Sequence, residues 1–319
     1  MSGVLIYSEV DEQAFPLIAW AKSHEDVLGP VAVAVLGEDS QKRCEAHQRY
    51  GAAQLYVNED EALGEMGEEV LTSALAQISK QAGADLILLA ATRRGRSLAS
   101  RLADALDAGC VSEAIEIAIQ DGRLVTGRYA LGGNTVAQEA ILTPQKVIAV
   151  TVGTVDTAEP GDAAGEIIVA ELDLPSTRTS VVERRPKPAS AVNIAESERL
   201  VCVGRGLEKQ DDLPIVEELA QAFSGEVACT RPLSAEYYWV PEERMIGISG
   251  EKVSPECILS LGVSGQVQHT VGIMGAKTIV AVNNDANAAI FKLADYGIVG
   301  DLYELVPALV AALKARSTG

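Results

Sequence analysis

The sequence predicts an α/β protein of two doubly wound domains, an N-terminal Rossmann-like unit and a C-terminal unit built on a second parallel sheet. Three observations carry that prediction. Short continuous apolar runs alternate with helical patterns, as buried strands do with their crossover helices. At 319 residues the chain exceeds what one core usually organises. Apolar residues make up 48% of it and aromatics only 4%, so its cores are built from Val, Ile, Leu and Ala, which suits parallel strands covered on both faces.

In chain order, GVLIYSE reads as a strand and is followed by a helix from about Glu12 to His24. VAVAVLGE is the next strand, then a helix around 40–50, AAQLYVNE, a longer helix near 65–82, and ADLILLAAT. Each run is too short to be an amphipathic helix, and the alternation argues βαβ units. From Val111 to Glu171 the runs are punctuated by Gly and Pro, which suggests a more antiparallel extension of the first domain. Between Leu174 and Ser197, Pro186 and Pro188 bracket a lysine beside Arg184 and Arg185. Pro fixes φ and cannot donate to a ladder, so about 184–198 is the expected linker between a domain at 1–188 and one at 196–319. The alternation then resumes with RLVCVGRGL, a helix from about Leu213 to Phe223, GEVACTRP, RMIGISG, ECILSLGVSG, KTIVAVNND, DYGIVG and a final helix from about Leu302 to Ala315. Six short strands are expected there.

A net charge of -19 argues against nucleic acid as a partner, because phosphate binding draws on clustered Lys and Arg. Five cysteines without a C-x-x-C suggest neither a disulfide framework nor a metal site, and point to a reducing cytoplasm. The N-terminal segment lacks a basic region followed by a long apolar one, and no stretch approaches the about 18 apolar residues of a membrane span. A cytoplasmic protein without membrane insertion is expected.

In parallel α/β sheets, ligands sit outside the carboxyl ends of the strands. Gly204-Arg205-Gly206 follows one such end. Glycines there let backbone approach a phosphate, and Arg205 can grip it with a charge-assisted pair of bonds. Arg231, Ser249 and Gly250, Ser264 and Gly265, Asn283 and Asp301 close further runs. Each alone reads as a polar turn; together they line one sheet edge where a dinucleotide-sized ligand would lie. His269 on spacing alone reads as a packed histidine at a helix start. Ser264 lacks the G-x-S-x-G setting of a nucleophile elbow, and His24 and His47 lie in the other half, so neither a triad nor zinc is supported. Arg93, Arg94 and Arg96, beside Gly95, could grip an anion or answer carboxylates of this chain or a partner.

The segments GRGL, SGQVQH, KTIVAVNND and IFKLADYGIVGDLYELVPAL resemble the C-terminal signature of the electron transfer flavoprotein alpha subunit. RGRSLASRLADAL extends the likeness into the first domain, and the G-I-S segment is similar to the Fix-type branch. The resemblance implies an FAD held by the C-terminal domain. It also implies a heterodimer with a beta subunit that contacts the N-terminal domain and carries AMP or, in electron-bifurcating members, a second FAD. Electrons would pass from dehydrogenases, as in fatty acid oxidation, to a quinone oxidoreductase or similar acceptor. A non-redox nucleotide-binding regulatory module is the competing class.

Carried residue by residue, the resemblance places Gly204, Arg205 and Gly206 at the FAD phosphates and Thr230 with Arg231 beside the flavin. Ile246, Gly247, Ile248, Ser249 and Gly250 match a Val-Gly-Gln-Thr-Gly stretch, and Ser264, Gly265, Gln266, Val267, Gln268 and His269 match the S-G-x-x-Q-H stretch. Asn283, Asp301 and Leu302 fall on the adenosine side. Arg231, Ser249 and His269 would tune the flavin, because a cation or N–H donor near the ring stabilises the negative charge it gains on reduction. This sequence departs from the family at Thr230, where serine is usual, and at Ile248 and Glu251, where glutamine and lysine are usual.

Overall fold

The computed structural model describes residues 1–64, 67–133, 135–162, 165–176, 182–183 and 193–317. The chain divides into two compact units, one of residues 1–131 and 135–184, the other of 132–134 and 185–319. Of the expected linker, residues 184–192, with Pro186 and Pro188, lie outside the described residues. In the remainder Asn193 caps a single 3-10 turn at Ile194–Glu196, its side-chain oxygen accepting from the Ala195 N–H at 3.2 Å, and Ile194 is buried.

Within the first unit, the strands are β1 (Val4–Tyr7), β2 (Val31–Leu36), β3 (Gln54–Asn58), β4 (Leu86–Ala90), β5 (Gly109–Ala114), β6 (Glu116–Gln120), β7 (Arg123–Ala130), β8 (Thr135–Glu139), β9 (Lys146–Val150) and β10 (Glu166–Val169). Seven of them form one sheet in the order β10-β3-β2-β1-β4-β9-β5, with every pair parallel. The central strands are apolar at every position because both faces are covered. Val4 and Ile6 join the core under helix Asp11–Ser23, while Leu5 and Tyr7 face helices Glu68–Gln81 and Arg93–Leu106.

The antiparallel extension expected over Val111 to Glu171 is narrower than that. Among the described residues only β6, β7 and β8 pair antiparallel, as a separate three-stranded sheet. β9 and β10 rejoin the parallel sheet instead. KVIAV is buried at four of its five positions, which marks an interior strand, whereas TVAQE is polar, exposed and confined to the small sheet.

The second unit holds β11 (Arg199–Val203), β12 (Glu226–Cys229), β13 (Cys257–Leu261), β14 (Ile279–Asn283) and β15 (Tyr296–Val299), in the order β12-β11-β13-β14-β15, all parallel. Among the described residues five strands therefore replace the expected six. RMIGISG makes only isolated bridges, Met245 to Cys229 and Ile246 to Glu251, because the chain turns sharply at Gly247, where φ is +148°. One face of the sheet packs on helices Leu213–Phe223 and Leu302–Ser317 through Val216, Leu219, Val306 and Val310. The other face is covered by Ile246, Val253, Val263, Ile273 and Ile290, from segments that follow strand ends.

Candidate functional site

The strand order of the second unit places its topological switch point between β11 and β13, where the chain leaves in opposite directions and opens a crevice at the carboxyl ends. The residues found there are glycines in contact. Gly204 N–H donates to Leu261 O at 2.9 Å and Gly206 N–H to Gly262 O at 3.0 Å. A Cβ on Gly206 would stand 2.5 Å from Gly262 Cα, and one on Gly204 the same distance from Gly262 O. The Leu302 side chain packs against the same contact. No side chain fits between these loops, so backbone forms the floor of the crevice. Arg205 rises from it, exposed and without a hydrogen-bond or ion-pair partner among the described residues.

Thr230 and Arg231 follow the adjacent strand end. Thr230 is buried and its N–H donates to Val203 O at 3.0 Å, fixing the start of the turn. Arg231 is exposed and, among the described residues, also lacks a partner. Ser264 is exposed and its carbonyl accepts from Ile290 N–H at 3.2 Å, while Gly265 turns the chain at φ +83°. Asn283 orders its own loop: Nδ2 donates to Val263 O at 2.8 Å and Oδ1 accepts from Asp285 N–H at 2.9 Å. Asp301 Oδ1 accepts from Tyr303 N–H at 2.9 Å and starts the terminal helix.

Two of the expected segments clasp each other. Ile248 N–H donates to Gln268 O at 2.8 Å, and a Cβ on Gly247 would stand 2.6 Å from that same oxygen. Gly250 closes the loop by donating to Gly247 O at 3.1 Å, which leaves Ile248 and Ser249 exposed on its outer side. Gln266 caps the short helix Val267–Thr270, in which Val267 is half-buried and Gln268 exposed.

His269, expected as a ring donor to a cofactor, has protein partners at both ring nitrogens. Its side chain is buried, Nδ1 lies 3.2 Å from Ile246 O and Nε2 3.9 Å from Cys202 Sγ. A carbonyl oxygen only accepts, so the Ile246 contact places a proton on Nδ1. Burial lowers the pKa of His269, which keeps the ring neutral, and burial pushes the Cys202 thiol well above its usual range. What the ring does here is hold the Ile246–Ser249 loop.

Residues 8–175 match the electron transfer flavoprotein domain, and residues 193–274 match the electron transfer flavoprotein FAD-binding domain. The chain belongs to the electron transfer flavoprotein family, as an alpha subunit of the Fix type. It is 37% identical over 317 residues to the Escherichia coli protein YdiR, covering 98% of this chain and 99% of that one. Against the proteins FixB of Escherichia coli and of Shigella dysenteriae it is 38% identical over 247 residues, covering 77% of this chain and 79% of each relative.

Elsewhere in this alpha subunit, Arg96 answers a carboxylate of its own chain, Glu113 at 3.3 Å, and donates to Ala91 O at 3.1 Å. All five cysteines are free thiols. Among the described residues no helix is long and apolar enough to cross a membrane, and no cluster of His, Cys, Asp and Glu is arranged to hold a metal ion. Gly262, Cys202 and Tyr303 were not singled out in the sequence. Gly262 could have been, as another glycine at a strand end. Tyr303 carried no signal, since its side-chain partner Asp212 is 91 residues away.

Proposed function

We propose that this chain is the FAD-holding subunit of a heterodimeric electron carrier, taking electrons from dehydrogenases and passing them to a quinone oxidoreductase or similar acceptor. A beta subunit carrying AMP or a second FAD is its expected partner, and the cytoplasm its expected compartment. The observation that carries the reading is the glycine contact at the switch point, with the unpartnered Arg205 above it.

The residues present fit such a group. Gly204, Gly206 and Gly262 leave the crevice floor to backbone, so a phosphate can approach closely, and Arg205 supplies the charge. FAD, when bound, would supply reversible electron storage. Arg231 would add positive potential at the neighbouring strand end, and the exposed Ser249 hydroxyl offers a hydrogen bond. Thr230 fixes the turn that carries Arg231, Asn283 fixes the loop around Val263, and Asp301 with Leu302 closes the crevice from the terminal helix. His269 acts through position, holding Ile246 while Gln268 holds Ile248.

The test is to co-express the chain with its beta subunit and record the absorbance spectrum of the purified pair. A flavin spectrum, with FAD identified after acid release, is expected. A colourless pair that gains no flavin absorbance with added FAD overturns the reading in favour of a non-redox nucleotide-binding module.

A further inference from the structure

Tyr303 stands in the first turn of the Leu302–Ser317 helix and has no part in the assignments above. Its hydroxyl donates to Asp212 Oδ2 at 2.6 Å and accepts from Glu208 N–H at 2.9 Å. Those partners bracket the segment that leaves Gly204-Arg205-Gly206 and leads into the Leu213–Phe223 helix. The tyrosine is itself anchored at its backbone, because its N–H is held by Asp301 Oδ1 at 2.9 Å. Next to it, Leu302 packs on the Gly206–Gly262 contact. Further along, Lys314 pairs with Glu218 at 2.7 Å, and Val306 and Val310 share a core with Val216 and Leu219, so the two helices move as one body. Burial and then the Asp212 hydrogen bond push the Tyr303 hydroxyl up to about 12, so it remains a donor throughout the neutral range.

Arg205 has nothing of its own to hold it. The side chain is exposed and unpartnered among the described residues, so any order at its guanidinium comes from the backbone beneath it. That backbone is fixed on one side by the hydrogen bonds to Leu261 and Gly262. On its far side it runs within a few residues into the segment that Tyr303 clasps.

We infer that Tyr303 is a positioning residue for Arg205: its clasp on Glu208 and Asp212 holds the loop after β11 in the conformation that presents the guanidinium to a phosphate-bearing ligand. The inference rests on the FAD reading above, and specifies what orders the phosphate end of that site. A phenylalanine would keep the packing of the ring and lose both hydrogen bonds. Glu208 N–H and Asp212, lying near the surface, would then turn to water, so the fold survives and the loop loosens.

The experiment uses the full-length chain co-purified with its beta subunit, in four forms: wild type, Tyr303→Phe, Arg205→Gln and the double variant. FAD release is followed by the rise in flavin fluorescence after dilution into trapping conditions, and thermal midpoints are recorded alongside. Tyr303→Phe is expected to speed release about three- to tenfold, a fraction of what the two lost hydrogen bonds are worth, because they reach the ligand only through Arg205. Arg205→Gln is expected to speed it more. The double variant is expected to release no faster than Arg205→Gln alone, because a residue that acts through Arg205 then has nothing left to position. Asp212→Ala, which opens the same clasp from its other side, is expected to match Tyr303→Phe. Unchanged release in Tyr303→Phe overturns the inference, and so does a Tyr303→Phe effect that persists in full in the Arg205→Gln background. A wild-type pair that takes up no FAD overturns the functional reading and this inference together, whereas the other two results overturn the inference alone.

Discussion

Replacing His269 by Leu separates a structural ring from a titrating one. The ring is 7% exposed and its Nδ1–H meets Ile246 O at 3.2 Å, beside a residue that is itself 1% exposed. Leucine has a similar volume but no donor, so the buried carbonyl is left unpaired, at a cost of about 1–3 kcal/mol above pH 7.5. The pH dependence has a defined sign. Burial depresses the folded-state pKa of His269 below the usual value of about 6.5, so between those two values the unfolded chain binds more protons and stability falls as pH falls. At pH 5.5 the proton taken up on unfolding removes up to about 1.4 kcal/mol from the wild type, the full amount applying where burial keeps the folded ring neutral. The Leu variant has no such group, so its deficit at pH 8 shrinks by that amount at pH 5.5. Urea unfolding followed by Trp239 fluorescence, in a Trp20→Phe background so that the signal reports the second unit, measures both differences. A wild type and variant whose stability gap is the same at both pH values would refute the neutral, Nδ1-protonated assignment.

Gly206→Ala puts a methyl group 2.5 Å from Gly262 Cα, a backbone atom that cannot step aside. The co-purified pair is expected to lose most of its flavin at an almost unchanged yield of folded protein, measured by the ratio of flavin to protein absorbance. Arg231→Ala removes the cation at the end of β12, and a lower flavin reduction potential in a spectroelectrochemical titration is expected; an unchanged potential would reject its tuning role. Leu88→Ala empties a fully buried site in β4, beside the central strand of the first unit, and is expected to cost about 2–5 kcal/mol in that unit, read from urea unfolding followed by Trp20.

The parallel sheets were legible because their strands are buried on both faces: VLIY, VAVAVL and LILLA contain no polar residue, and only a strand between two helical layers tolerates that. The runs that misled are those where apolar character and backbone geometry disagree. RMIGISG looks extended, yet Met245 and Ile246 are buried in a turn that covers the sheet and pair only as bridges. Apolar content alone does not distinguish a strand from a loop packed on one. At the site, strand-end residues were readable because the rule that places them depends only on chain order. Hydrogen-bond direction was not readable. Nothing in SGQVQH states that the ring of His269 turns inward to Ile246 and Cys202, since both partners lie in segments joined to it only by the fold.

The glycines explain why scattered signals make one site. Arg205, Arg231, Ser249, Ser264, Asn283 and Asp301 come from separate parts of the second unit, and parallel connectivity brings every strand end to the same edge. That alone gives a row of turns. A crevice needs the row to be pinched where connectivity reverses. Gly204, Gly206 and Gly262 do this by bringing two loops closer than any Cβ permits, with Gly262 held at φ +59°. In the proposed reading the charge that meets a phosphate is the Arg205 guanidinium, since the N–H groups of Gly204 and Gly206 already donate to Leu261 and Gly262. The glycines themselves have no room to vary, which is why one added methyl group at Gly206 is expected to cost more flavin than the loss of any single polar side chain on the edge.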